Sequence, residues 1–217
     1  MKFIIKDKFT FYFIRGIFIV GVVLYHSLYD IQFFANFNIN VLDYPLLFLQ
    51  RVVAGGLLVL FGMTCAIIGF NKIAIIKRFL KLAAISIVIS IGSYLIDRDN
   101  FIYFGILHLM AISSLICLLF LKLNSKIVLL STLFILIYGS IYPTESSRPS
   151  FDYFSFFPWF GCVVLGIYLQ KINILKNIFI QENLVTNILA KIGKHSMLIY
   201  LIHQPILLLI FKIAGVL

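Results

Sequence analysis

Charge is scarce in this chain, and negative charge is scarcer still. Of 217 residues, 18 are Lys or Arg and only 8 are Asp or Glu. Charged residues make up 12% of the total and hydrophobic ones 62%, whereas a water-soluble domain is about 25% charged. Mean hydropathy is +1.09. No polar segment is long enough to hold a soluble domain, and there is no tandem repeat or low-complexity tract. Alternating ten-residue segments are also missing, which excludes an outer-membrane barrel. Cys65, Cys117 and Cys162 fall inside apolar runs without paired spacing. They read as small buried hydrophobes, not as a disulfide framework or metal site, and no metal is expected. The first apolar stretch follows Lys2, Lys6 and Lys8 as a signal peptide would. It exceeds the usual 7–15 apolar residues and no small-residue cleavage site follows, so it reads as a retained first helix.

What the chain has in quantity is long apolar runs. A helix needs about 20 apolar residues to cross a bilayer. Seven such spans are expected, at about 10–34, 47–70, 76–96, 102–121, 127–142, 154–171 and 195–214. The fold class is therefore an all-α integral membrane protein, a polytopic bundle of about seven transmembrane helices forming a single domain over 1–217. Asn, Asp and Pro mark the first loop, and Asp97-Arg-Asp-Asn100 separates the third span from the fourth. The longest connection, 171–194, carries an amphipathic pattern and predicts a short helix on the cytoplasmic surface.

The net charge of +10 suggests nucleic acid only until the charges are located, for they cluster in short loops. Lys and Arg concentrate in the N-terminus and in the second, fourth and sixth connections. Asp43, Asp97, Asp99, Glu145 and Asp152 fall in the others. That alternation predicts a cytoplasmic N-terminus and an external C-terminus by the positive-inside rule. No nucleic-acid partner is expected; membrane lipid is.

Ionisable groups inside the spans stand out, because they are costly in hydrocarbon and usually kept for function. His26 and Asp30 lie four residues apart, on one helix face and within reach of a hydrogen bond. Helical rise puts His26 about 6 Å and Asp30 about 12 Å outside the midplane. Arg51 comes to about 10–11 Å and His108 to roughly 5 Å. Arg51 is thus expected to pair with Asp30, which would lower the cost of burying both; alone, it would snorkel outward. His203 lies near the midplane beside Gln204-Pro205, where the proline frees a backbone carbonyl that the imidazole or amide could satisfy. Gly55-Gly56, Gly62, Gly69 and the Gly161/Gly166 spacing suit close helix contact, not phosphate binding. Trp159 suits an interfacial anchor or a wall of the site.

These residues carry a resemblance. Arg15-Gly16 followed by Tyr25-His26 resembles the first helix of the type-3 membrane-bound acyltransferases. Together with His26-Ser-Leu-Tyr-Asp30, Arg78-Phe-Leu-Lys-Leu82, Phe101 to His108, Pro158-Trp-Phe-Gly161 and Gly193 to Pro205, the chain resembles small prokaryotic members of the heparan-alpha-glucosaminide N-acetyltransferase catalytic-domain family. The resemblance implies an acetyl- or acyltransferase of the cell membrane that takes acetyl-CoA or another acyl-CoA from the cytoplasm. The acceptor it implies is an amine or hydroxyl, on a sugar or a cell-envelope glycan or lipid. It gives His26 the part of the catalytic histidine. The lysosomal members have more helices than seven, so a two-sided tunnel calls for a partner, such as a second copy in a homo-oligomer, or a leaner design.

The expected chemistry follows. His26, neutral near pH 7, takes the acceptor's proton as the thioester is attacked. Asp30, held by Arg51, fixes its tautomer, and His108 donates to the carbonyl oxygen as charge develops. Arg15 and Arg78, with His203, are assigned to the acyl-CoA, the arginines meeting its phosphates. The rival reading is a proton-coupled transporter or channel using the same His, Asp and Arg groups, although no inverted repeat is visible. A structural subunit of an envelope-synthesis complex is a third.

Overall fold

The computed structural model describes residues 8–35, 40–41 and 43–215; Lys2, Lys6 and part of the first loop lie outside them. Among the described residues the regular structure is helical: α1 (Lys8–Ala35), α2 (Leu46–Ile68), α3 (Lys72–Ile96), α4 (Ile106–Leu121), α5 (Ser125–Ile141), α6 (Phe156–Lys171), α7 (Leu184–Lys194) and α8 (Ser196–Ile213), with one 3₁₀ turn at Ile174–Asn177. Each expected span has a helix at its place. The cytoplasmic-surface segment expected within 171–194 contains α7, the most amphipathic element of the chain.

Helix boundaries follow local chemistry. The side chains of Asn71 and Asn124 accept from Ala74 and Ile127 N–H, capping α3 and α5. Inside the first turn of α6, Phe157 is extended, so the regular helix begins at Pro158, which has no N–H to leave unpaired. The fourth span is expected from 102, yet α4 starts at Ile106. Residues 101–105 instead form an irregular connection. Phe151 N–H donates to Asn100 O at 2.7 Å and Phe154 N–H to Phe104 O at 3.0 Å.

Lengths separate two classes of helix. α1, α2, α3 and α8 are long and apolar enough to cross a membrane, whereas α4, α5 and α6 are equally apolar but only 16, 17 and 16 residues long. At 1.5 Å per residue the shorter three span about 24–26 Å. Among the described residues four spans therefore meet the length criterion, not seven. Only 11% of the most apolar stretch of α3 and of α8 is buried within the protein. Ile87, Val88, Ile91 and Leu95 of α3, and Leu209, Ile210 and Ile213 of α8, are exposed. Apolar surface on that scale needs lipid around it. The chain is an α-helical membrane protein.

The helices group into two compact units. One comprises 58–174, with the second half of α2 and α3 to α6; the other comprises 5–57 and 175–217, with α1, the first half of α2, α7 and α8. In the first, α5 packs on α6, α3 on α4, and α4 on α6. A Cβ on Gly62 would run into the carbonyl oxygen of Val163, and one on Gly166 into that of Val59. α2 and α6 thus approach backbone to backbone, as small residues permit. Lys171 donates to the carbonyls of Leu121 and Leu123 at 2.9 and 2.8 Å, closing the C-terminal end of α4. In the second unit α1 packs on α7 and α8. Gly16 faces the Leu189 carbonyl and Gly193 the Tyr12 carbonyl, again with no room for a side chain.

Candidate functional site

The pairing of α1 with α8 brings together four polar groups. Asp30 is 1% exposed and His203 7%. The Gln204 amide nitrogen donates to both carboxylate oxygens of Asp30, at 2.9 and 3.0 Å. One turn earlier on α1, the His26 ring lies 4.9 Å from the His203 ring, edge to face. Helical geometry explains the correspondence. Residues 26 and 30 share a face of α1, and the adjacent pair 203 and 204 meets them from α8.

Hydrogen bonding fixes the state of His203. Its Nδ1 lies 2.7 Å from the Tyr200 carbonyl oxygen, which can only accept, so Nδ1 carries the proton. Nε2 is then a bare lone pair, buried with no partner, and the Gln204 side-chain oxygen is in the same condition. Pro205, inside α8, has no N–H for the carbonyl of Leu201. The imidazole satisfies the neighbouring Tyr200 carbonyl instead.

Two expected contacts do not form. His26 and Asp30 share a helix face but make no hydrogen bond; Asp30 turns to Gln204, and His26 lies against His203. Arg51 is exposed on α2 and does not pair with Asp30. A neutral amide meets the buried carboxylate, sparing the protein the desolvation of a second charge. Matching depth in the bilayer says nothing of which way a helix face points, and Arg51 points outward. Arg15 is half-buried on α1 in this unit.

His108 and Arg78 belong to the other unit. His108 is the third residue of α4. Its Nδ1 accepts from the Gly105 N–H at 3.1 Å, so the ring proton sits on Nε2, 3.2 Å from Ser90 Oγ. That hydroxyl passes on to the Ile102 carbonyl at 2.6 Å. Both ring nitrogens are therefore occupied, and the group expected to be an oxyanion donor is tied into the start of α4. Beside it, Asp152 accepts from the Ile106 N–H at 3.4 Å, an approach open only because Gly105 has no Cβ. Burial pushes the Asp152 carboxyl up to about 6, against that hydrogen bond.

Arg78 lines a small pocket with Cys65, Ile75, Ser114, Cys117 and Leu118. Its guanidinium stacks 3.9 Å from the centre of the Phe61 ring, and reaches the Phe61 carbonyl at 3.4 Å and Cys65 Sγ at 3.6 Å. Cys65 and Cys117 are buried, Cys162 is half-buried, and all three are free thiols. Trp159 packs on Phe154 at 5.0 Å.

A model of the family described as heparan-alpha-glucosaminide N-acetyltransferase, catalytic, matches residues 10–205. The chain belongs to this family. The match takes in nearly all of both units, including His26, Asp30, Arg51, Arg78, His108, His203 and Gln204. Membership in the heparan-alpha-glucosaminide N-acetyltransferase catalytic family marks the chain as an acetyltransferase in general. No curated protein and no solved structure matched the chain.

The sequence gives no direct sign of Gln204 as the partner of Asp30. The available signal was the run His203-Gln-Pro205, three residues with polar or helix-breaking character in the middle of an apolar span.

Proposed function

We propose that this protein transfers an acetyl or other acyl group from cytoplasmic acyl-CoA to an amine or hydroxyl on a sugar or envelope glycan or lipid. The whole chain acts as one domain of the cell membrane, with seven crossing helices, the N-terminus in the cytoplasm and the C-terminus outside. α4 to α6 then cross a locally thinner path than the others.

His26 is the base. The observation that carries this is a half-buried imidazole in a membrane helix, in a chain of an acetyltransferase family, with its side chain not committed to the neighbouring carboxylate. It takes the proton from the acceptor N–H or O–H as that atom attacks the thioester carbonyl. The carbon–sulfur bond breaks, and the imidazolium returns the proton to the departing CoA thiolate. Asp30 and Gln204 clamp α1 to α8 at the level where the two imidazoles meet. His108, with both nitrogens engaged, is assigned to shaping the start of α4. Arg78 and Arg15 are each assigned to the phosphates of the donor.

The test is titration of purified, detergent-solubilised protein with acetyl-CoA. Saturable binding that weakens with added salt is expected. No binding across the millimolar range removes the acyltransferase reading and leaves the proton-coupled transporter.

A further inference from the structure

His203 presents an unusual combination. Its Nδ1–H is spent on the Tyr200 carbonyl, its Nε2 lone pair is buried and unpartnered, and the ring nearest to it on α1 is that of His26. A buried acceptor left unmet costs about 1–3 kcal/mol, so it calls for an explanation. No other feature of α8 supplies one. Gln204, the next residue, is committed through its amide nitrogen to Asp30. The Tyr200 ring stands at 5.5 Å and tilted, with no hydrogen bond to that nitrogen.

We propose that His203 is the positioning residue of the base: its Nε2 accepts the N–H of His26 and so fixes which nitrogen of His26 is free to take the acceptor's proton. This rests on the reading of His26 as the base. The chain of contacts runs from the Tyr200 carbonyl to His203 Nδ1–H, and from His203 Nε2 to the His26 ring. The other His26 nitrogen then faces the substrate. It is the arrangement a carboxylate usually provides to a catalytic histidine, built here from a second imidazole anchored on a backbone carbonyl.

The substitution has a physical reason. A carboxylate beside His26 would bring a full negative charge into the membrane, whereas a neutral imidazole in one tautomer supplies the same directional acceptor without it. Asp30, the carboxylate that is present, is turned to Gln204, whose amide nitrogen donates to both of its oxygens. Rings 4.9 Å apart, edge to face, need only a modest rotation of His26 to complete the bond. Catalytic hydrogen bonds are often loose before substrate arrives and tighten in the complex.

Two measurements test it. The first compares His203→Phe, which keeps the ring volume but has no acceptor, with His203→Gln, whose side-chain oxygen takes the place of Nε2. His203→Phe is expected to lower kcat by about 10–100-fold with the KM for acyl-CoA unchanged; a raised KM with kcat kept would return His203 to the acyl-CoA contact expected of it and overturn the inference. His203→Gln is expected to recover most of that loss. The second is independent of activity: ¹⁵N spectra of histidine-labelled protein in detergent. Wild type is expected to show His203 protonated at Nδ1 and His26 in one tautomer, and His203→Phe to show His26 in both. A His26 tautomer mixture already in wild type, or one unchanged by His203→Phe, overturns the inference. So does a kcat for His203→Phe equal to wild type, or His203→Gln as slow as His203→Phe. If the protein transfers no acyl group at all, the reading of His26 as base falls, while the spectra still decide the tautomer.

Discussion

Gln204 holds Asp30 by both carboxylate oxygens, at 2.9 and 3.0 Å, across the contact between α8 and α1. A residue 174 positions away in sequence thus takes the place of the expected arginine. Because the carboxylate is almost wholly buried, the energetic weight of this contact lies in what its loss would leave behind. Gln204→Leu strands the carboxylate, which should cost about 1–3 kcal/mol. Asp30→Leu combined with Gln204→Leu should recover much of that, since neither polar group then remains to be satisfied. Thermal unfolding of the two single variants and the double variant in detergent measures the coupling. Arg51→Ala, removing an exposed side chain that touches neither residue, should be close to neutral.

Close helix approach makes a second expectation. Gly62→Ala places a Cβ against the Val163 backbone carbonyl, which cannot swing aside as a side chain would. A loss of about 1–3 kcal/mol is expected. Gly92 in α3 offers the control, for a Cβ there meets nothing within 4 Å. Gly92→Ala should be neutral or stabilising by roughly 0.5–1 kcal/mol, as alanine is the better helix former. Thermal midpoints of the two variants check both signs.

Asp152 should leave a mark on the pH dependence of stability. An acid whose folded value lies above its ordinary 3.8, here about 6, favours the folded state most when protonated. Its contribution is most favourable below about 4, declines as pH rises through the window from 3.8 to about 6, and is flat above it. Asp152→Asn keeps an acceptor for the Ile106 N–H and removes the charge. At pH 7.5 its thermal midpoint should rise by about 2–4 °C, corresponding to ~1 kcal/mol. The slope between pH 4 and 6 should flatten.

Arg78 gives a test of the donor site. Its planar guanidinium lies on the Phe61 ring and bonds the Phe61 carbonyl, a geometry an ammonium does not reproduce. Arg78→Ala and Arg78→Lys should both weaken acyl-CoA binding by roughly tenfold, a loss of about 1.4 kcal/mol. Calorimetric titration reads both. Full binding by Arg78→Lys would mean that only charge matters there.

Much of the fold was legible in the sequence because apolar periodicity and bilayer thickness act on whole segments. Every expected span contains a helix, and α7 sits in the segment expected to be amphipathic. What length alone overstated was the number of full-length spans. Residues 102–104 read as the start of the fourth span but precede α4, in a connection tied to 151–154 through the Asn100 and Phe104 carbonyls. The site was legible residue by residue and less so in its pairings. Depth along a helix follows from counting; direction around it depends on which neighbour packs where. Counting therefore places His203 but not its contact with His26, and sets Asp30 level with Arg51 without revealing Gln204. In the sequence Gly16 stands out only beside Arg15, in the run that resembles the family. Its physical reason, the Leu189 carbonyl of α7, became visible only once the two helices were placed.

The central claim is that His26 is the base of an acyl transfer. Wild type and His26→Ala, purified in the same detergent, should be incubated with acetyl-labelled CoA and an amino-sugar or lipid acceptor, after donor binding has been verified for both. Wild type should label the acceptor, and His26→Ala should bind the donor equally well yet transfer about 10²–10⁴-fold more slowly. Transfer by His26→Ala at the wild-type rate would contradict the account.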